Sequence, residues 1–188
     1  MRYALPPLSL GTDEQGNEVL LEWRRRVVRV TGPGWSGKTA MLSHLINQLS
    51  LENADLLVLR DEDEPFDSPA GCVADSIPQF EEALLRLITP RLVGDTDRPL
   101  VLVVTAIGAA GSAGGDVLRI ARHSSALNAY VLTEDKFYRA AGNGYGEDFW
   151  DIQATKLFMS YQQAMVGYGE GPTVSFIPPA NVDPSASA

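Results

Sequence analysis

Gly32-Pro33-Gly34-Trp35-Ser36-Gly37-Lys38-Thr39 combines the residue types that hold a chain of phosphates: a glycine, four free positions, then Gly-Lys-Thr. Glycines at 32, 34 and 37 allow backbone angles and close approaches that a side chain forbids, so successive N–H groups can turn inward onto an anion. Lys38 has the reach for β- and γ-phosphates, and the Thr39 hydroxyl is the expected Mg²⁺ ligand. The span Gly32 to Ala40, with Pro33, Trp35 and Ser36 inside it, is therefore the expected nucleotide-binding set.

Both flanks supply what such a loop needs. Val27, Val28, Val30 and Thr31 read as a short buried strand, while Met41, Leu42, Leu45, Ile46 and Leu49 recur at helical spacing. A helix starting near Lys38 adds about half a positive charge at its first turn. The bland alternative, a glycine-rich turn before an amphipathic helix, has to meet both the loop pattern and the two flanks by chance.

Further along, the elements that would complete a sheet follow in order. Leu8 to Leu21 reads as a hairpin around Gly11-Thr12-Asp13-Glu14-Gln15-Gly16-Asn17, ahead of the nucleotide core. Asp55 to Arg60 reads as a second core strand covered on both faces, closed by Asp61-Glu62-Asp63-Glu64, a solvated loop or a carboxylate source for a ligand. Ser76 and Gln79 have capping-box spacing before a helix through Ile77, Phe80, Leu84 and Ile88 that is expected to stop before Pro90. Leu100 to Val104 is the third core strand, and the glycine- and alanine-rich stretch from Gly108 to Gly115 reads as a mobile loop. Asp116 to Ala126 reads as a helix that Asn128 closes in the left-handed region, and Ala129 to Leu132 is a fourth strand. After a turn-rich stretch from Ala141 to Asp148, Thr155 to Tyr161 supplies a fifth strand and Thr173 to Ile177 an edge strand. From Pro178 the composition reads as a disordered tail. The expected division is a hairpin extension over 1–25, a nucleotide-binding core over 26–177 and a tail over 178–188.

Composition narrows the classes. With 188 residues and 45% apolar content, one α/β domain with a sizeable core is the default. The lone Cys72 has no disulfide partner within the chain, and His44 and His123 stand too far apart to form a zinc motif, as expected of a cytoplasmic protein. No run approaches the roughly 20 apolar residues of a membrane-spanning helix. A formal charge of −9 opposes a broad nucleic-acid-binding face, so any contact with DNA has to be local. The cluster Arg24, Arg25, Arg26 and Arg29 after Trp23 is such a patch; a solvated strand edge, kept from aggregating by charge, is its competing reading.

A phosphate loop followed by these strands and helices resembles a RecA-like P-loop NTPase core: a mostly parallel central sheet flanked by helices, here with an N-terminal β-hairpin. Two further stretches resemble the FtsK/HerA family of DNA translocases and packaging ATPases. Leu10-Gly11-Thr12-Asp13-Glu14-Gln15-Gly16 matches the Leu-Gly-x-Asp-x-x-Gly element that family members carry ahead of the loop. Leu118-Arg119-Ile120-Ala121-Arg122, before the Ala129 to Leu132 strand, is similar to the family's arginine-bearing helix. The resemblance implies ATP and Mg²⁺ as cofactors, and a homo-oligomer, possible as a hexameric ring, acting on double-stranded DNA. It makes Arg119 and Arg122 candidates for an arginine finger reaching a neighbouring subunit, against the plainer reading of surface arginines.

The third strand departs from that family, whose members end it in Asp-Glu to hold Mg²⁺ and orient the attacking water. Here Val103-Val104 leads into Thr105-Ala106-Ile107, and no carboxylate lies between Asp97 and Asp116. The fourth strand runs into Thr133-Glu134-Asp135-Lys136 where the family has Thr-Gln. Since the RecA-like order sets that strand beside the first, Glu134 or Asp135 is a candidate replacement for the missing acid, against a solvated strand end. Lys38, Glu134, Arg119 and Arg122 are thus the candidate catalytic residues. Three functions are compatible with this pattern: an ATP-driven motor subunit for DNA or protein transfer with hydrolysis in doubt, a non-hydrolysing nucleotide-binding module of a secretion or packaging complex, and a small-molecule kinase. The kinase ranks last because no arginine follows Arg139 to form a lid. Replacing Lys38 by Ala is expected to abolish nucleotide binding or weaken it severely in a calorimetric titration; an unchanged ATP affinity would remove the site assignment.

Overall fold

The computed structural model describes residues 4–59, 72–105, 114–134, 154–160, 164–168 and 173–179. The strands are β1 (Leu8–Thr12), β2 (Glu18–Leu21), β3 (Val27–Thr31), β4 (Asp55–Leu59), β5 (Cys72–Ala74), β6 (Leu100–Val104), β7 (Ala129–Glu134), β8 (Thr155–Met159), β9 (Ala164–Gly167) and β10 (Thr173–Phe176). The helices are α1 (Lys38–Leu49), α2 (Ile77–Val93), α3 (Gly114–Arg122) and α4 (Ser124–Leu127). Eight strands form one sheet in the order β10-β9-β8-β3-β7-β6-β4-β5, parallel from β8 to β5 and antiparallel at β9 and β10. The fold is thus α/β, with a mostly parallel central sheet and a separate two-stranded hairpin, β1-β2.

Alternation along the strands divides the core. Val28, Val30, Val58, Val103 and Leu132 face α1 and the hairpin, where Met41, Leu42, Leu45, Ile46 and Leu49 are buried. Val27, Leu57, Leu59, Leu102 and Val131 face the other way, onto α2 and α3 through Phe80, Leu84, Val117 and Ile120. The continuous apolar runs at β4 and β6 follow from this, because helices cover both faces of a parallel sheet.

The hairpin is tied to α1 by a side chain that imitates a strand. The Gln48 carboxamide accepts the Ser9 N–H at 2.8 Å and donates to the Ser9 carbonyl at 2.9 Å. In the turn, Asp13 accepts from the Gln15 and Asn17 amides and from the Asn17 side chain, and these bonds, the Asn17 side chain first, hold its carboxyl below the usual range. Gly11 has a φ of 136°, and a Cβ there would stand 2.0 Å from the Ile177 carbonyl oxygen, which explains the glycine beside the buried Leu10.

Several sequence expectations need correction. The segment with Arg24, Arg25, Arg26 and Arg29 does not lead into a strand edge, since β3 lies between β8 and β7. The α2 helix runs through Pro90 to Val93 and ends on Gly94 in the left-handed region. Pro90 has no N–H to offer, but the next residue anchors the last turn: the buried Arg91 donates to Asp55 at 2.6 Å, to the Arg98 carbonyl at 2.9 Å and to the Leu87 carbonyl. The 116–126 helix is two helices broken at His123, closed as expected by Asn128 at φ 50°. The strands β5 and β9 had no counterpart in the sequence reading. Gly114 and Gly115 form the first turn of α3, whereas the rest of the glycine-rich loop, Asp61 to Glu64, Asp135, the 141–148 stretch and the tail beyond residue 179 lie outside the described residues. No helix among the described residues is long and apolar enough to cross a membrane.

Phe80 is fully buried between α2 and the sheet. Truncating it to Ala should lower unfolding stability by about 3–5 kcal/mol in a denaturant titration; a loss under about 1 kcal/mol would contradict this packing.

Candidate nucleotide site

The central place of β3 sets the site. Its last residue, Thr31, delivers the chain to the glycine loop at the carboxyl ends of the parallel strands, the usual ligand edge of such a sheet. Gly32 adopts φ 141°, and a Cβ there would lie 2.0 Å from the Met159 carbonyl oxygen of β8 and 2.9 Å from the Ser36 hydroxyl. Only glycine lets the loop turn this close to β8. Gly37, at φ 81°, caps α1 with its backbone alone, so the first N–H groups of that helix have no side-chain acceptor from the cap. The buried Ser36 hydroxyl donates to the Pro33 carbonyl at 2.8 Å and braces the turn from inside.

Trp35 is the unexpected member. Its φ is 59°, in the left-handed region that favours glycine, at a cost of about 1–2 kcal/mol for a residue with a Cβ. Its side chain is 91% exposed. Pro33 and Gly34 are also exposed, whereas Thr39 and Ala40 in the first turn of α1 are half-buried.

Lys38 is only 7% exposed. Its Nζ donates to the Gly32 carbonyl at 3.2 Å and to the Pro33 carbonyl at 2.5 Å, and stands 3.7 Å from Oε1 of Glu134. Strand register places that carboxylate: β7 runs parallel to β3 with Glu134 level with Val30, two residues before the loop. Glu134 is 2% exposed. Opposite charges at this separation attract by on the order of 4 kcal/mol at an effective dielectric near 20, and desolvating both ions offsets most of that. The pair therefore adds little to folding.

The remaining candidates divide by location. Thr105, the residue after β6, is buried, and its N–H and hydroxyl both donate to the Leu59 carbonyl, at 3.1 and 3.5 Å. The third strand thus ends in a hydroxyl directed at β4. Arg119 and Arg122 lie on α3, across the sheet from α1, and the Arg119 side chain is 81% exposed with Asp116 at 3.6 Å. They are not brought to this chain's own loop. The arginines before β3 lie at the opposite end of the strands: Arg24 meets Glu22 at 2.6 Å and covers the Tyr168 ring at 4.7 Å, while Arg26 covers the Tyr130 ring at 4.5 Å. These aromatic partners and the backbone of Trp35 went unread in the sequence, because no short motif marks them.

Thr39 and Glu134 offer a hydroxyl and a carboxylate, hard oxygen donors of the kind Mg²⁺ takes. Among the described residues no group of three or more His, Cys, Asp or Glu could hold a metal ion alone. That donor set suits a Mg²⁺ that arrives with phosphate oxygens and completes its shell with water.

Loop, sheet order and hairpin together define an α/β phosphate-loop fold that the solved ATPase structures below share. No protein-family model and no curated protein matches the sequence. Solved structures do. The cytoplasmic domain of EssC superposes with a TM-score of 0.73 at 14% identity, over 94% of this chain and 43% of that one. Thermomonospora curvata EccC (ATPases 2 and 3), solved in complex with a signal sequence peptide, gives 0.70 at 12% identity, over 92% and 40%. The pCW3 conjugation coupling protein TcpA, in a monomer form with ATPγS, gives 0.56 at 12% identity, over 92% and 70%. The chain thus spans less than half the length of the EssC and EccC chains it matches.

Substituting Gly32 with Ala should push the loop off β8 and lower nucleotide affinity by at least about tenfold in a calorimetric titration. An affinity within twofold of the unsubstituted protein would show that the close approach to Met159 is not needed.

Proposed function

We propose that the chain is an ATP-binding, motor-type domain that holds Mg-ATP and turns it over slowly. One observation carries this reading: a buried lysine at the head of α1, held against two loop carbonyls and a buried glutamate, where the glycine loop leads into a helix whose N-terminus has no side-chain cap. A triphosphate tail offers Lys38 stronger acceptors than the Gly32 and Pro33 carbonyls, and the first turn of α1 favours the same anion. Mg²⁺, held from the protein side by Thr39 with Glu134 close by, would neutralise charge on the phosphates. TcpA, of similar fold, was solved with ATPγS.

Slow turnover follows from β6. A positioned acid or base contributes about 10²–10⁴ in rate, and no carboxylate occurs on or directly after β6. Such a chain serves best as a nucleotide-holding subunit whose occupancy sets assembly in a larger transfer complex. The likeness to a conjugation coupling protein and to a protein bound to a signal sequence peptide puts DNA and polypeptide forward as cargo classes. For DNA, Arg24 and Arg25 are exposed and form the available basic patch.

A second reading, a turning-over motor, is favoured by Glu134 alone. Its carboxylate reaches the loop from β7 and is available to orient a water at the γ-phosphate. Purified protein with ATP, Mg²⁺ and double-stranded DNA is expected to bind nucleotide yet release phosphate barely above the Lys38→Ala background. Glu134→Gln should remove whatever release stands above that background while ATP stays bound. Robust DNA-stimulated release would favour the motor, and unaltered release in the glutamine variant would place the acid elsewhere.

A further inference from the structure

We propose that the outward face of α2 is a docking surface for a basic amphipathic helix of a partner polypeptide. Leu85 and Leu92 stand seven residues apart on that face with the half-buried Ile88 between them, the i, i+3, i+7 spacing of a helix-packing seam. Leu85 is 68% exposed, Leu92 69% and the neighbouring Val93 67%. The inward face is already filled, since Phe80, Ala83 and Leu84 are buried against the sheet. Aliphatic side chains left in water at helix-packing spacing, with charged residues around them, have the make-up of an interaction surface.

The last turn of the seam is held in place from inside. Pro90 offers no N–H and would favour an earlier stop, yet the helix runs on to Val93 because the buried Arg91 bonds to Asp55 at 2.6 Å and to the Arg98 carbonyl at 2.9 Å. The turn so secured carries Leu92 and Val93, and neither joins the core. What the anchored turn adds is outward apolar surface. Charge then selects the occupant. Along α2 and the turn after it, the exposed charged side chains are Glu81, Glu82, Asp95 and Asp97 against Arg86 and Arg98, on a chain of net charge −9. A second copy would bring the same acids to the same face and be repelled. A helix with its own apolar stripe and lysine or arginine beside it matches the seam and the charge together.

Docking here does not depend on nucleotide. The α2 helix packs over β4 and β5 on the face of the sheet opposite α1, away from the loop that precedes Lys38.

Fluorescence anisotropy of a labelled synthetic helical peptide, with leucines at the same spacing and lysines flanking them, tests this on the full chain; a second peptide carries glutamate in place of every lysine. The lysine peptide is expected to bind saturably, and the glutamate peptide at least about tenfold more weakly. Leu85→Gln combined with Leu92→Gln should weaken the lysine peptide at least about tenfold. The melting temperature and the calorimetric ATP affinity should not move in that variant, because both side chains are already exposed. Glu81→Gln combined with Glu82→Gln should lower the affinity for the lysine peptide and make it less sensitive to added salt. Absence of saturable binding, equal binding of the two peptides, or equal binding by the double-glutamine Leu85 and Leu92 variant would overturn the proposal. So would sedimentation that shows a dimer broken by that variant, which would seat a second copy on the seam. Peptide binding by a chain that takes up no ATP would uphold the docking and refute the nucleotide site instead.

Discussion

A buried ammonium group held between two loop carbonyls and a buried carboxylate is the constraint on which the site depends. Lys38 is held at the head of α1 by its helix and by the close approach of Gly32 to β8, with the Gly32 and Pro33 carbonyls and Glu134 as its partners among the described residues. Each of these has a structural cause elsewhere. The carbonyls face inward because Gly32 sits against the Met159 carbonyl, and Glu134 reaches the site because β7 lies next to β3 in parallel register. The sheet order is therefore the means by which a cation and an anion far apart in sequence become neighbours at one edge.

The acid beside the loop comes from β7 and not from β6. The strand between β7 and β4 ends in valines and a threonine that bonds back to Leu59, so β6 serves the core and itself brings no charge to the loop edge. The carboxylate at that edge stands one strand closer to the loop, within 3.7 Å of the lysine. Were a triphosphate bound at the loop, a glutamate so placed would repel a bare γ-phosphate and favour the Mg²⁺-bound form. At the other end of the strands, arginines packed on Tyr130 and Tyr168 close the sheet, and the hairpin clasped by Gln48 links that end to α1.

What the sequence disclosed was local. The glycine loop, the helix after it, the hairpin around Asp13 and the left-handed closure at Asn128 each rest on residues within a few positions of one another, and each is found in the fold. The misreadings came from partners distant in the chain. Pro90 reads as a stop until Arg91 is seen bonded to Asp55 and Arg98. The arginines around β3 read as an edge because nothing nearby in sequence announces that β8 will pair there. Glu134 was legible as a candidate but its distance from Lys38 was not, since that depends on the register of two strands about a hundred residues apart. Trp35 escaped because the loop pattern treats its position as free, while the backbone makes it one of the two described non-glycine residues at positive φ.

The central claim is that the N–H groups from Gly34 to Thr39 converge on a triphosphate. Amide NMR of uniformly ¹⁵N-labelled protein during titration with Mg-ATPγS tests it most directly. The account predicts that the largest shift changes fall on Gly34, Trp35, Ser36, Gly37, Lys38 and Thr39, with smaller ones at Glu134. Undisturbed loop amides at saturating nucleotide, or changes confined to another part of the sheet, would contradict it.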